Sequence, residues 1–390
     1  MAILSVNAGS SSLKFGLYPL AGQSIGPASL VGNIEGLQPG GQARLCWRNE
    51  AEGDQALLPG QGMADALAAL DNLLQQHLHH PLQAIAHRVV HGGRQFRQPV
   101  RVDDTLLQAL DQLCPLAPLH QPHNLAGIRH FQQRYPQTPQ VACFDTAFHA
   151  SLPEQEYLFA LPPSFNQQGV RRYGFHGLSY AYVQQTLQRV SQRAQERVLM
   201  AHLGNGASLC ATHGGQSIAT TMGFSALDGL MMGTRSGSLD AGVLLHLLAQ
   251  GWDAGRIETL LYKESGLKGV SGLSADMRTL RASADPAAQR AIALFTHRVV
   301  REAGALTACL GGLDVLAFTG GIGEHDRALR ADACARLAYL GVRLDATVNE
   351  SERGDRIAAL HAPDSAVEVW LVPTDEGRMA AQGAASLLSM

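Results

Sequence analysis

Apolar positions along the chain fall into two periods. Short runs read as strands: Ile3-Leu4-Ser5-Val6, Leu13 to Tyr18, Ala84 to Val90, Val141 to Phe144, Val315 to Phe318 and Val367 to Val372. Met63, Leu67, Leu70, Leu74 and Leu78 recur at helical spacing, as do Leu106, Leu107, Leu110 and Leu113, for which Asp104 is the expected cap. Asp285-Pro286 signals the start of a long helix reaching about Leu310. A closing helix from Gly377 to Leu388 is expected to pack back on the N-terminal part. Pro115, Pro118 and Pro122 interrupt regular structure, and the Pro-containing stretch from Ala150 to Tyr173 is expected to join two domains, 1–150 and 151–376. Strand–helix alternation predicts an α/β architecture.

The joints between these elements carry the chemistry. Asn7-Ala8-Gly9-Ser10-Ser11-Ser12 links the first two strands, with Lys14 at its edge. Its backbone N–H groups and hydroxyls suit a phosphate, although turn chemistry alone also explains a Ser/Gly tip. A second strand–tip–strand unit runs from Val198 to Cys210, with the tip at Gly204-Asn205-Gly206. An offset of 196 residues sets Ser12 on Ser208, which suggests two similar halves. A third Gly-rich loop, Thr319 to Glu324, follows the strand at 315–318.

Composition narrows the class. At 390 residues, with 46% hydrophobic and 16% charged residues, the chain is long and apolar enough for two or three globular domains. A net charge of −3 without a basic tract argues against nucleic acid as a partner. No apolar stretch approaches the ~20 residues that span a bilayer, and no leader pattern precedes the first strand. Cys46, Cys114, Cys143, Cys210, Cys309 and Cys334 are scattered without metal-type spacing, as expected of free thiols in a reducing cytoplasm. His77, His79 and His80 read as a solvated helix end.

Arg88 and Asp145 both close predicted strands, where ligands of open α/β sheets sit, though a buried Arg can equally be a structural partner. His176 lies between glycines before a helix expected near Ser179. Arg235 sits in a Gly/Ser stretch, and Asp276-Met277-Arg278 follows another. Glu376 suits either a metal or a helix cap. No activated-nucleophile motif competes with this set, which fits phosphoryl transfer, where the protein mainly positions groups and neutralises charge.

These residues fall in ordered blocks: NAGSSSLKF at 7–15, HRVVHGG at 87–93, LAPLH at 116–120, FDTAFH at 144–149 and RRYGFHG at 171–177. HLGNGAS at 202–208, GLMMGTRSG at 229–237, SADMR at 274–278, GGIGE at 320–324 and PTDE at 373–376 follow. Over essentially its full length the chain resembles the acetate kinase family of the acetate and sugar kinase/actin-like superfamily. The resemblance implies two ribonuclease H-like, actin-like domains related by duplication, with the active-site cleft between them. It implies a cytoplasmic homodimer that transfers the γ-phosphoryl of ATP reversibly to acetate, giving acetyl phosphate and ADP, with Mg²⁺, or Mn²⁺ in its place.

Residue by residue, the resemblance assigns Asn7 and Glu376 to the metal and Lys14 to the nucleotide phosphates. His202, Leu203, Gly204, Asn205 and Gly206 would surround the nucleotide, with Asp276, Met277 and Arg278 and with Gly321, Ile322, Gly323, Glu324 and His325. Arg88 would bind the acetate carboxylate, and Val90, Leu119 and Phe175 its methyl group. His176 and Arg235 would stabilise the transferring phosphoryl. Asp145 usually takes the role of proton donor or acceptor. A carboxylic acid with a pKa near ~4 is already ionised at neutral pH and needs no base. Asp145 is therefore expected to orient Arg88 and Arg235 or a metal-bound water.

The chain departs from the family pattern at several places. FHGTSH becomes Phe175-His176-Gly177-Leu178-Ser179-Tyr180, TPLEG becomes Ser225-Ala226-Leu227-Asp228-Gly229, GIGEN ends in His325, and the second Glu of TNEE is Gly377. Ala226 replaces a Pro lining the acyl pocket, which loosens it. An extra methylene is worth only ~1–3 kcal/mol of discrimination, so propionate is expected as a second substrate. The alternatives are a propionate kinase and an actin- or Hsp70-like ATPase with no carboxylate substrate. A sugar kinase would need a base and a polar pocket.

Overall fold

The structure, a computed structural model, describes residues 1–9, 12–22, 24–37, 40–49, 53–58, 62–78, 81–118 and 120–388. Ser10, Ser11, His79, His80 and Leu119, singled out in the sequence, lie outside the described residues. The chain divides into two compact units, residues 1–148 with 375–390, and residues 149–374.

In the first unit the strands are β1 (Ala2–Ala8), β2 (Ser12–Ala21), β3 (Ser24–Ile25), β4 (Leu30–Glu35), β5 (Arg44–Asn49), β6 (Gly53–Leu57), β7 (Leu82–Val89), β8 (Val100–Arg101) and β9 (Gln140–Phe144). They form one sheet in the order β6-β5-β4-β2-β1-β7-β9-β8, with β3 on β2. β1 runs antiparallel to β2 and parallel to β7, and β7 runs parallel to β9. The helix Met63–His77 buries Leu67, Leu70, Leu73 and Leu74 among Leu4, Val6, Leu13 and Ile85. Each such side chain contributes ~1.5–3 kcal/mol of apolar burial. The closing helix, Glu376–Leu388, packs on β1, β7 and β9 through Ala380, Ala381, Ala384 and Ala385, small enough for close approach.

The second unit holds β10 (Val198–Leu203), β11 (Ala207–His213), β12 (Gln216–Thr220), β13 (Val315–Thr319), β14 (Ala358–Ala359) and β15 (Glu368–Leu371), in the order β12-β11-β10-β13-β15-β14. This repeats the β4-β2-β1-β7-β9-β8 order with the same sense at every step, down to a two-residue antiparallel edge strand. The duplication is clearer here than in the sequence, and its register corrects the offset of 196. The hairpins close at Ala8↔Leu13 and Leu203↔Ala207; the next pairs are Asn7↔Lys14 and His202↔Ser208. Ser208 thus corresponds to Lys14, not Ser12: the strands before the tips are offset by 195 (Asn7 to His202) and those after by 194, the second tip being one residue shorter.

Three local expectations are revised. The helix Asp104–Asp111 is capped by Asp103, extended at φ −137°, whose carboxylate accepts from Leu106 N at 2.7 Å. Pro122 does not interrupt structure; it sits in the first turn of the helix Gln121–Arg134, where its missing N–H costs nothing. The third Gly-rich segment is not a loop but a short helix, Gly320–His325. It opens at φ +75°, and a Cβ on Gly320 would lie 2.8 Å from the Leu203 carbonyl oxygen. The long helix Pro286–Leu310 forms as expected, with the Asp285 side chain accepting from Ala287 N.

β10 and β13 start from one buried carboxylate. Asp314 accepts from Arg197 Nε at 2.6 Å, Arg197 N at 3.1 Å and Arg193 Nη2 at 2.5 Å. The Arg197 hydrogen bonds hold its pKa down to about 2. A depressed carboxyl stabilises the fold above its unfolded pKa, ~3.9, and loses that contribution as pH falls towards 2. Asp314→Asn is expected to destabilise the protein by about 1–3 kcal/mol at pH 7, with the gap from wild type shrinking between pH 4 and 2. Scanning calorimetry checks this; equal midpoints at pH 7 would show that the cluster does not hold the strands.

Candidate active site

In the first unit the site residues gather at the C-terminal ends of β1, β7 and β9. Arg88, one residue before the end of β7, lies beside Cys143 of β9, and Asp145 follows β9 directly. Arg88 Nε donates to Asp145 Oδ1 at 3.0 Å and Nη2 to Oδ2 at 2.6 Å, while Nη1 lies 3.1 Å from Glu376 Oε2. Burial opposes the guanidinium charge, but the two carboxylates outweigh it and raise the pKa, so Arg88 stays a cation. Glu376 opens the closing helix. Asn7 and Lys14 face each other across the β1–β2 ladder, with Lys14 exposed.

The turn after β7 is fixed by side chains the sequence did not single out. Val90 N donates to Asn124 Oδ1 at 3.0 Å, and Asn124 Nδ2 donates to the Ala8 carbonyl at 2.5 Å, tying this turn to the end of β1. Gln121 brackets His91 through its N–H and C=O. Thr146 Oγ1 accepts from Gly92 N. Burial pushes His87 and His91 down to about 4, so both are neutral supports at pH 7.

In the second unit His176 caps the helix Gly177–Val190 at φ 59°, left-handed for a residue with a side chain. Its ring stacks on His202 with centroids 4.2 Å apart, and Nδ1 lies 2.8 Å from Ser208 Oγ. Phe175, beside it, is buried. A Cβ placed on Gly206 would lie 3.2 Å from His176 Nε2 and 3.8 Å from Arg235 Nη1, so both groups reach the 204–206 turn. A Cβ on Gly204 would lie 3.9 Å from Gly321 N, which brings the short helix to the same turn. Arg235 Nη1 donates to the Ala226 carbonyl at 2.8 Å, so Ala226 holds this arginine through its backbone.

Glu324 is turned inward: one carboxylate oxygen accepts from Gly320 N at 2.8 Å and Thr374 N at 3.1 Å, and burial raises its pKa. Ser179 bridges His202 Nδ1 and Thr374 Oγ1. His325 is exposed, with Nδ1 2.7 Å from the Arg353 carbonyl. Asp276 caps the helix Met277–Ala282 and pairs with the exposed Arg278 at 2.6 Å. Met277 is buried, whereas Asn205 packs against Gly233, whose N–H bonds the Asn205 carbonyl at 3.0 Å.

The doubled sheet, with Gly-rich segments and cations at its strand ends, defines the two-domain actin-like class of α/β proteins. Within it, the profile of the Acetokinase family matches residues 2–382, and the chain belongs to that family, phosphotransferases with a carboxyl group as acceptor. It is 49% identical to an acetate kinase of Rhodopseudomonas palustris over 97% of this chain and 96% of that one. Among solved structures it resembles an acetate kinase from Porphyromonas gingivalis (TM-score 0.89, 34% identity, 100% of both chains). It also resembles a propionate kinase from Francisella tularensis (TM-score 0.89, 34% identity, 98% of both).

Gly206→Ala tests the space above the 204–206 turn. The methyl would press on His176 Nε2 without a forbidden backbone angle. The variant is expected to keep its circular dichroism and to lose at least roughly tenfold in turnover, since small misplacements at a reacting centre can cost ~10²-fold. Unchanged turnover would show that nothing reacts there.

Proposed function

We propose that the chain catalyses reversible transfer of the γ-phosphoryl of ATP to acetate, giving acetyl phosphate and ADP, with propionate as a poorer acceptor. The observation that carries this is the reach of His176 Nε2 and Arg235 Nη1 to one glycine turn, in a chain matched to the family over residues 2–382. The chemical problem is repulsion between an anionic acceptor and an anionic triphosphate. Arg88 answers the acceptor's charge: beyond its bonds to Asp145 and Glu376 it carries further N–H groups on Nη1 and Nη2 for a carboxylate. Val90 and Phe175 would line the methyl site, with Leu119. Arg235 and His176 address the charge of the transferring group.

Asp145 is buried and bonded side-on to Arg88. That supports an orienting role over proton transfer, because ionised acetate has no proton to remove. Lys14 and the backbone of 202–206 and 321–325 would take the nucleotide, with the segment 276–278.

Among the described residues no group of three or more His, Cys, Asp or Glu is placed to hold a metal. The Asn7 amide oxygen and the Glu376 carboxylate are hard donors of the kind Mg²⁺ takes when waters and substrate phosphates supply the rest. Asn7 and Glu376 would hold Mg²⁺, or Mn²⁺ in its place; it would supply positive charge to the phosphate oxygens.

A homodimer is the proposed assembly. The helix Ala241–Ala249 has no buried residue, and Val243, Leu245 and Leu248 are exposed, which a second copy would cover. A cytoplasmic site fits the six free thiols; among the described residues no helix is long and apolar enough to cross a membrane.

The propionate kinase reading has its own support in the Francisella structure and in Ala226. A hydroxamate assay of acyl phosphate with acetate, propionate and butyrate, with and without Mg²⁺, decides between them. Acetate is expected to give the highest kcat/KM and signal only with metal; no acyl phosphate from any acid would overturn the proposal. Arg235→Ala is expected to lower kcat by ~10³-fold while nucleotide KM changes little. Near-normal kcat would remove Arg235 from the transfer step.

A further inference from the structure

The sequence departs from the family's FHGTSH pattern at Tyr180, and the fold gives that tyrosine a specific place. It sits one turn after His176 on the helix Gly177–Val190 and is fully buried. Its hydroxyl lies 2.5 Å from Ser208 Oγ, which lies 2.8 Å from His176 Nδ1. Ser208 occupies, in the second hairpin, the ladder position held by Lys14 in the first. Three polar groups thus form a line from the helix interior to the ring facing the 204–206 turn.

The direction of this line follows from its chemistry. A phenol is a stronger acid than an aliphatic alcohol, so in a short bond between them the phenol donates. Burial raises the Tyr180 pKa well above its ordinary value, so the proton is present. Ser208, with its oxygen accepting from Tyr180, turns its own hydrogen to His176 Nδ1. A ring whose Nδ1 accepts carries its proton on Nε2, the nitrogen near Gly206. The His202 ring is stacked 4.2 Å away, so the two rings cannot both be cations without direct repulsion.

We propose that Tyr180 is a positioning residue which, through Ser208, fixes His176 as the neutral tautomer with the proton on Nε2. His176 then serves the transferring phosphoryl as a hydrogen-bond donor, and Arg235 supplies the charge. This deepens the proposed function and rests on its assignment of His176 to the transferring group.

The test is a long-range ¹H–¹⁵N spectrum of the full chain labelled with ¹⁵N-histidine at pH 7, with His176→Asn to assign the ring. Wild type is expected to show Nδ1 unprotonated and Nε2 protonated. Tyr180→Phe is expected to leave Nδ1 partly protonated and to lower kcat about 10- to 100-fold, the usual effect of removing an orienting partner. KM for ATP and acetate is expected to stay within ~3-fold. Ser208→Ala breaks the line at its other link and is expected to give the same spectrum, while Tyr180→His, which keeps a donor, is expected to recover most of kcat.

A protonated Nδ1 in wild type overturns the proposal, as does Tyr180→Phe with unchanged spectrum and kcat. If wild type forms no acyl phosphate, the proposed function fails while the spectrum still decides the tautomer. If acyl phosphate forms and Nδ1 is protonated, the relay alone fails.

Discussion

One left-handed residue governs the second unit's site. His176 at φ 59° adopts a backbone conformation that costs roughly 1–2 kcal/mol for an L-residue, and it persists because its surroundings leave no alternative. His149 bonds the Phe175 carbonyl through Nε2 at 2.8 Å and Ser217 through Nδ1 at 2.8 Å. Its ring fills the space where Gly174 would carry a Cβ, and the Tyr180 N–H closes on the His176 carbonyl. Burial pushes His149 down to about 4, so it is a neutral ring with one donor and one acceptor nitrogen, which suits these two bonds. Without the reversal at 174–176, the His176 ring would neither stack on His202 nor reach Ser208. The stack, the serine and the glycine turn all follow from it.

Two arginines of the proposed site are held by different kinds of partner. Arg88 sits between two carboxylates, which hold its guanidinium ionised and fix its plane. Arg235 is held differently, with Nη1 donating to the Ala226 carbonyl at 2.8 Å and lying 3.5 Å from the Met232 sulfur. In the proposed roles an acceptor-binding cation must be rigid, and the paired carboxylates hold Arg88 in that way.

The sequence revealed what local chemistry encodes. Strand periodicity located the ends of β7 and β9, and with them Arg88 and Asp145. Helical spacing found Leu67, Leu70 and Leu74, and the Asp285-Pro286 pair marked the long helix. Long-range pairing was not legible. Nothing near Asn124 announces that its amide joins Ala8 to Val90, and nothing near Ser208 announces His176. The resemblance placed Glu324 beside the nucleotide; its bonds to Gly320 and Thr374 were not legible, because they depend on how β13 and β15 end. Asp103 and Asp104 were not separable, since each has the side chain of a cap and only the backbone angle decides. The duplication was visible only as a half-chain period, because ladder register, not residue identity, is what repeats.

The closing helix has a consequence for the order of assembly. Residues 375–390 belong to the unit that the first 148 residues begin, so its sheet lacks the alanine face of Glu376–Leu388 until that segment emerges from the ribosome. The intervening unit, 149–374, is contiguous and can fold as it is made. During synthesis β1, β7 and β9 therefore wait with one face lacking that cover, and Arg88 waits without Glu376. The unit begun first is thus the last to complete its packing.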